Sequence, residues 1–204
     1  MTEQQDVIEK VKEIKRRFAL LMNGVASSSM REKGVKGYIN WGVGLPALKD
    51  MAAEYGKDYD LALALWKENV RECKILATLM MPHERMSADL ISVWTEQTTT
   101  QEIAEYATFN VYQYVENASI YAFLWVASSD KLLQLSGYNL FSCLFRRGCE
   151  PGERDINEFV DQAVTALSDE SVAVRHAAMN SLNNFAAIDE MHQKMVDNAL
   201  KRCF

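Results

Sequence analysis

The stretch 169-DESVAVRHAAMNSLNNF-185 decides the fold. An aspartate is followed by the pair Val174-Arg175, then by Ala178 and Leu182, so that Val174, Ala178 and Leu182 fall on one stripe of a helix. A weaker echo lies at 70-VRECKILATLM-80, where Val70, Lys74, Ala77 and Met81 keep the same step. Two echoes of one helical unit, with divergent units between them, are the mark of an irregular helical repeat.

Outward from these echoes the chain reads as short helices with links of a few residues. The spacing predicts helices over 59–67, 69–81, 86–96, 99–115, 118–127, 131–146, 155–167, 170–186 and 189–202. Short links make sequence neighbours into spatial neighbours. Upstream, Val7, Ile8, Val11, Ile14, Phe18, Leu21, Met22 and Val25 predict one amphipathic helix over 4–25, with Lys12, Lys15 and Arg16 on its other face. Ser27, Ser28 and Ser29 then read as a polar link, and Gly42 and Gly44 bend the chain into a helix with Pro46 in its first turn that stops near Gly56. Nine glycines and three prolines are too few for a sheet-rich chain of 204 residues. The expectation is all-α: an irregular α-solenoid of HEAT-like antiparallel helix pairs, an α–α superhelix. It is read as one domain over 1–204, with an N-terminal helix and link over 1–33 and a repeat stack over 34–204.

Charge narrows the partners. Residues 1–37 carry eight Lys/Arg against five Asp/Glu, net +3, and residues 38–204 carry fourteen against twenty-three, net −9, which together give the formal −6. An acidic body repels phosphate backbones, so DNA binding has to come from a local basic patch. No signal-like start and no apolar run of bilayer length is present in the sequence, so a cytoplasmic protein with no membrane partner is expected. Cys73, Cys143, Cys149 and Cys203 form no CxxC pair and are expected as free buried thiols, and His83, His176 and His192 lack metal-ligand spacing, so neither cofactor nor metal is expected. No strand followed by a GKS or GKT sequence exists to cradle phosphates.

The segments 42-GVGLPALKDMAAEYGKDYDLALALWKENVRECKILATLM-80 and 159-FVDQAVTALSDESVAVRHAAMNSLNNF-185 resemble the DNA alkylation repair enzyme family, the HEAT-like DNA glycosylases, and the similarity runs over about 30–200. The resemblance implies a curved stack of helix pairs whose concave face cradles duplex DNA. It also implies excision of cationic N3- or N7-alkylpurines without drawing the base into a pocket. A cationic base is already a good leaving group, so the protein chiefly stabilises an oxocarbenium-like sugar and positions water, tasks that suit a carboxylate.

Residue by residue, the resemblance puts Gln101 where the family has a tryptophan, Glu105 where it has the catalytic aspartate, and Asn180 where it has a second tryptophan. A groove arginine expected in the 131–141 helix has no counterpart; 131-KLLQLSGYNLF-141 holds only Lys131. Glu105 keeps the charge one methylene further out. Gln101 and Asn180 offer no π face to a cation, a contact worth about 0.5–2 kcal/mol. Trp41, in its glycine-rich bend, is the first candidate to replace the missing aromatics. Lys12, Arg71, Arg146, Arg147 and Arg175 are the candidate phosphate contacts, although Arg146 and Arg147 also suit a helix C-terminus without any phosphate.

The stretch 94-WTEQTTTQEIAEYAT-108 reads as a helix start, with Thr99 as N-cap and Glu102 completing a capping box. Ile103, Ala107, Val111 and Tyr114 form its apolar stripe, which places Gln101 and Glu105 together on the face away from the core. In a solenoid that face is either outer solvent or inner groove. Two functions follow: binding of duplex DNA with excision through Glu105, or a degenerate scaffold that binds a protein partner or unusual DNA structures.

Overall fold

The computed structural model describes residues 3–203, with the side chains at 153, 154 and 203 outside the described set, so the thiol expected at Cys203 lies outside it. Twelve α-helices and two short 3-10 turns account for the described secondary structure, apart from one isolated bridge between Ile39 and Val70. The architecture is all-α and HEAT-like, and the contacts divide it into two compact units between Val111 and Tyr112.

The first unit holds α1 (Glu3–Leu20), α2 (Gly24–Glu32), α3 (Leu45–Tyr55), α4 (Tyr59–Lys67), α5 (Arg71–Met80), a turn over His83–Arg85, α6 (Ala88–Glu96) and α7 (Gln101–Asn110). Asp58 caps α4 by accepting from the Leu61 amide, Pro46 stands in the first turn of α3, and Gly56 ends α3 with φ of 74°. α4 packs on α5 across a short link, α3 and α7 pack on α5, and α1 packs on α4. Helix α5 is therefore surrounded, and of its ten residues only Leu79 is not buried. Trp66 of α4 and Trp94 of α6 stack in parallel with centroids 3.9 Å apart, both buried.

The single helix expected over 4–25 is two. Helix α1 stops at Leu20, and Asn23 starts α2 by accepting from the Ala26 amide at 3.0 Å while its own amide donates to the Trp41 carbonyl at 3.0 Å. The serines read as a link lie inside α2, with Ser27 buried and donating to the Asn40 carbonyl at 2.8 Å. Gly42 makes this crossing possible: at φ of 73° a Cβ there would lie 2.2 Å from the Asn23 carbonyl oxygen. Apolar periodicity ran on through Leu21, Met22 and Val25, but these side chains are exposed.

The second unit holds a turn over Tyr112–Tyr114, then α8 (Ala118–Val126), α9 (Lys131–Arg146), α10 (Glu153–Ala166), α11 (Val172–Ala186) and α12 (Glu190–Cys203). The helix expected over 99–115 ends at Asn110, because Val111 leaves helical geometry with φ of −131° and ψ of −62°. α8 packs on α9, α9 on α11 and α10 on α11. The α8–α9 approach is close enough that a Cβ on Gly137 would sit 2.7 Å from a Val126 methyl and 2.8 Å from its amide nitrogen. Val174, Ala178 and Leu182 are buried on one stripe, as their spacing predicts. Around them Phe141, Phe145, Phe159 and Phe185 form a ring cluster with centroid separations of 4.8 to 5.7 Å. Each such pair adds about 0.5–1.5 kcal/mol beyond its buried area.

Candidate functional site

The start of α7 departs from the expected capping box. Thr100, not Thr99, is the N-cap, its hydroxyl facing the Ile103 amide at 3.5 Å, and the Thr99 amide donates instead to the Tyr38 hydroxyl at 3.1 Å. Glu102 is turned away from the cap toward Arg71. The Arg71 Nε and Nη2 donate to its two oxygens at 2.7 and 2.6 Å, a bidentate pair. Arg71 Nη1 donates further to Glu72 at 3.1 Å and to the Val43 carbonyl at 3.3 Å. Arg71 is only 2% exposed and all three of its nitrogens are used inside the protein, so it is withdrawn from the phosphate contacts expected from sequence.

Glu72, fully buried, accepts from the backbone amides of Trp41 at 3.2 and 3.3 Å and of Val43 at 3.2 Å. The Arg71–Glu72–Glu102 network therefore holds the glycine-rich bend in place. Helical spacing alone gave no sign of this, since an Arg-Glu pair at a helix start reads as solvated surface. Lys74 on the same helix is also buried: its Nζ lies 4.4 Å from the Trp66 ring centroid and donates to the Trp66 carbonyl at the end of α4. Burial lowers its pKa to about 8. The neighbouring Cys73 thiol is pushed up to about 12, mainly by burial and then by Glu68.

Gln101 and Glu105 do share a face. Gln101 is exposed and Glu105 half-buried, and the Gln101 amide donates to the Glu105 carboxylate at 2.8 Å. Beneath them Ile103 and Ala107 are buried. Tyr106, beside them on α7, has its pKa raised by burial and, next, by Glu102. Phe109, one turn further along the same face of α7, is exposed.

The remaining candidates lie apart from it. Lys12 is exposed on α1 and pairs with Glu9 at 2.7 Å. Asn180 is exposed on α11. Arg175, half-buried on the same helix, uses Nη1 to hold the Asp169 and Glu170 carbonyls at 2.6 and 3.1 Å, a role in the loop before α11. Asp169 also accepts from Lys131 at 2.6 Å, and that hydrogen bond holds its pKa below the ordinary carboxylate value. Arg146 and Arg147 are exposed at the end of α9. Arg147 donates to the Gln113 carbonyl and covers the Tyr114 ring at 4.8 Å, so it serves its own unit first.

The thiols divide: Cys73 and Cys143 are buried as expected, but Cys149, beyond the end of α9, is exposed. Among the described residues no helix is long and apolar enough to cross a membrane.

One feature carried no clear sequence signal. A cleft of about 670 Å³ opens between α1 and α4, with Trp41 in its wall. Trp41 was singled out for its glycine-rich setting, but its partners Lys15, Arg16 and Glu68 are brought to it only by the fold.

A family profile described as DNA alkylation repair enzyme matches residues 14–202. No curated protein matches the chain. Among solved structures, a member of a new family of proteins related to the HEAT-like repeat DNA glycosylases, with affinity for branched DNA structures, matches with a TM-score of 0.80. The two chains are 17% identical over 93% of this one and 82% of that one, a likeness that carries the fold.

Proposed function

Because the chain belongs to the DNA alkylation repair enzyme family, we propose that it binds duplex and branched DNA, and that binding, not base excision, is its principal work. The observation that carries binding over excision is the Gln101–Glu105 hydrogen bond of 2.8 Å. Where the family resemblance calls for an aromatic ring beside a carboxylate, an amide occupies the place and donates to that carboxylate. A cationic base gains about 0.5–2 kcal/mol from each ring it meets, and position 101 offers none. The affinity of the structural relative for branched DNA supports DNA as the partner over a protein.

With a formal charge of −6, attraction to phosphate falls to local cations, of which Lys12, Arg146 and Arg175 reach the surface of their units. Glu105 keeps a negative charge that can stabilise a sugar cation, and this favours excision of N3- or N7-alkylpurines as the second reading.

The test compares binding to a four-way junction and to a linear duplex of equal length at two salt concentrations, beside single-turnover release of methylated purines. The expected result is tighter binding to the junction, weakening of both complexes with salt, and no release. Release by the wild type would install the second reading in its place. Failure to bind either DNA would discard the proposal and turn the search to protein partners.

A further inference from the structure

The α1–α4 cleft is built from parts that suit one ligand chemistry. One wall is α1, which presents Ile8 and Val11 together with Lys12, Lys15 and Arg16; the other is α4 with Ala64, and Glu68 just beyond it. Trp41 closes the end. Its volume, about 670 Å³, falls within the range of small-ligand sites, about 300–1,000 Å³.

The charges in it are not equal. Lys15 is occupied by Glu68 at 2.7 Å. Lys12 makes a surface pair with Glu9, whose charge Arg16 also feels, and Arg16 is exposed and makes no hydrogen bond among the described residues. Two cations are therefore available above an apolar floor. The Trp41 backbone is fixed from both sides, its amide donating to buried Glu72 and its carbonyl accepting from Asn23 at 3.0 Å, and its half-buried side chain lines the cleft. A ring carried on a fixed stretch of backbone beside cations is an arrangement that stacks a base and holds its phosphate.

The groove also changes sign along its length. A neighbouring hollow of about 550 Å³ shares Ile8, Ala64 and Glu68 with the first, but adds Glu3 and Asp60 against Lys67. A phosphate backbone running on from the basic end would meet these carboxylates. The geometry points to the Trp41 end of the α1–α4 cleft as a site for the unpaired terminal nucleotide of a DNA strand, its base against Trp41 and its phosphate between Lys12 and Arg16. This inference rests on the DNA-binding reading and sharpens it, since branched DNA can present unpaired nucleotides where a blunt duplex presents none.

The experiment uses the full chain and two labelled hairpins, one blunt and one carrying a short 5′-phosphorylated single-stranded overhang. Wild type is expected to hold the overhang about tenfold more tightly, within the range that stacking one base on an aromatic ring supplies. Arg16→Glu, an exposed change that leaves the fold alone, and Trp41→Ala should each erase that preference and keep blunt-duplex affinity within about twofold; Trp41→Phe should retain most of it.

Equal affinity for both hairpins, or a preference that survives Arg16→Glu and Trp41→Ala, would overturn the nucleotide site while leaving DNA binding intact. Loss of wild-type binding to both hairpins would remove the DNA-binding reading and this inference with it. Displacement of the overhang by a short acidic peptide and not by an unlabelled overhang strand would give the cleft to a protein partner, which also overturns it.

Discussion

In the unit that ends at Val111, Arg71, Glu72 and Lys74 lie buried on one helix, whereas in the unit that begins at Tyr112 the buried centre is Phe141, Phe145, Phe159 and Phe185, with His192 edge-on to Phe185 at 4.5 Å. The rings gain chiefly by excluding water, with a smaller gain from their mutual geometry. Buried ions gain little net stability, because desolvation offsets their attraction. What the ions supply is placement: Glu72 fixes the amides of Trp41 and Val43, and Arg71 ties that carboxylate to Glu102 on α7. The second unit is thus organised by volume and the first by direction, and the candidate nucleotide cleft and the Gln101–Glu105 pair both belong to the first.

The contrast can be broken most severely in the ring cluster. Phe159 is fully buried against Phe141, Phe145 and Phe185. Phe159→Ala should cost about 3–5 kcal/mol, as a cavity that the surrounding rings refill only in part. Urea unfolding gives the size, and hydrogen exchange should place the loss in 112–204. A loss below about 1 kcal/mol would mean that the cluster is loosely packed and that volume does not organise this unit.

Removing one partner from the ion network comes next. Glu102→Gln leaves Arg71 buried with Glu72 alone, at an expected cost of about 2–3 kcal/mol, below the full effect of orphaning a buried charge because one partner remains. The directional reading adds a second consequence. The bend that carries Trp41 should loosen, seen as faster exchange at the Trp41 and Val43 amides, whereas Phe159→Ala should leave both amides protected. Equal exchange in the two variants would refute the division between volume and direction.

Alkaline pH sets Lys74 of the first unit against buried thiols and phenols of both units. Lys74 titrates near 8 in the folded protein against an ordinary 10.5. Below about 8 both states carry the proton, and between about 8 and 10.5 the unfolded chain binds more, so this lysine makes stability rise with pH over that window. Cys73, raised from 9.0 to about 12, acts oppositely from 9 upward. In the second unit the shifts of Tyr112, Tyr138 and Cys143 are all upward and caused first by burial, with Tyr138 reaching about 12, so stability there falls as the unfolded phenols and thiol ionise. Urea midpoints should therefore rise slightly between pH 8 and 9 and fall above about 10. Lys74→Met should abolish the rise and keep the fall. A midpoint that declines steadily from pH 7 in the wild type would show that Lys74 is not neutralised.

Much of the fold was legible because it rests on periodicity. Val174, Ala178 and Leu182 announced a buried stripe, and Pro46 and Gly56 marked the limits of α3 within a residue or two. The break between α1 and α2 was not legible, since Leu21, Met22 and Val25 continue the apolar step and only the contact of Gly42 with Asn23 explains the stop. In the candidate site, the shared face of Gln101 and Glu105 followed from helical geometry alone. Arg71 and Glu102 were misassigned, one to phosphate and the other to a capping box, because their bidentate pair spans 31 positions. Nothing local encodes such a pairing; it exists only once α5 and α7 are packed.

The smallest expected effect on stability is at Glu105. The side chain is half-buried and its one described hydrogen bond comes from Gln101 at 2.8 Å. In Glu105→Gln an amide oxygen can still accept that bond, so the loss should stay within about 0.5 kcal/mol, as for a surface change. Its value lies in function. If Glu105 stabilises a sugar cation, removing the charge without the shape should abolish release of methylated purines and leave junction binding intact. If DNA binding is the whole of the activity, the variant should match wild type in every assay except a slight gain in phosphate affinity from the lost negative charge. Junction binding that collapses in Glu105→Gln would contradict both readings, because neither asks that carboxylate to hold DNA.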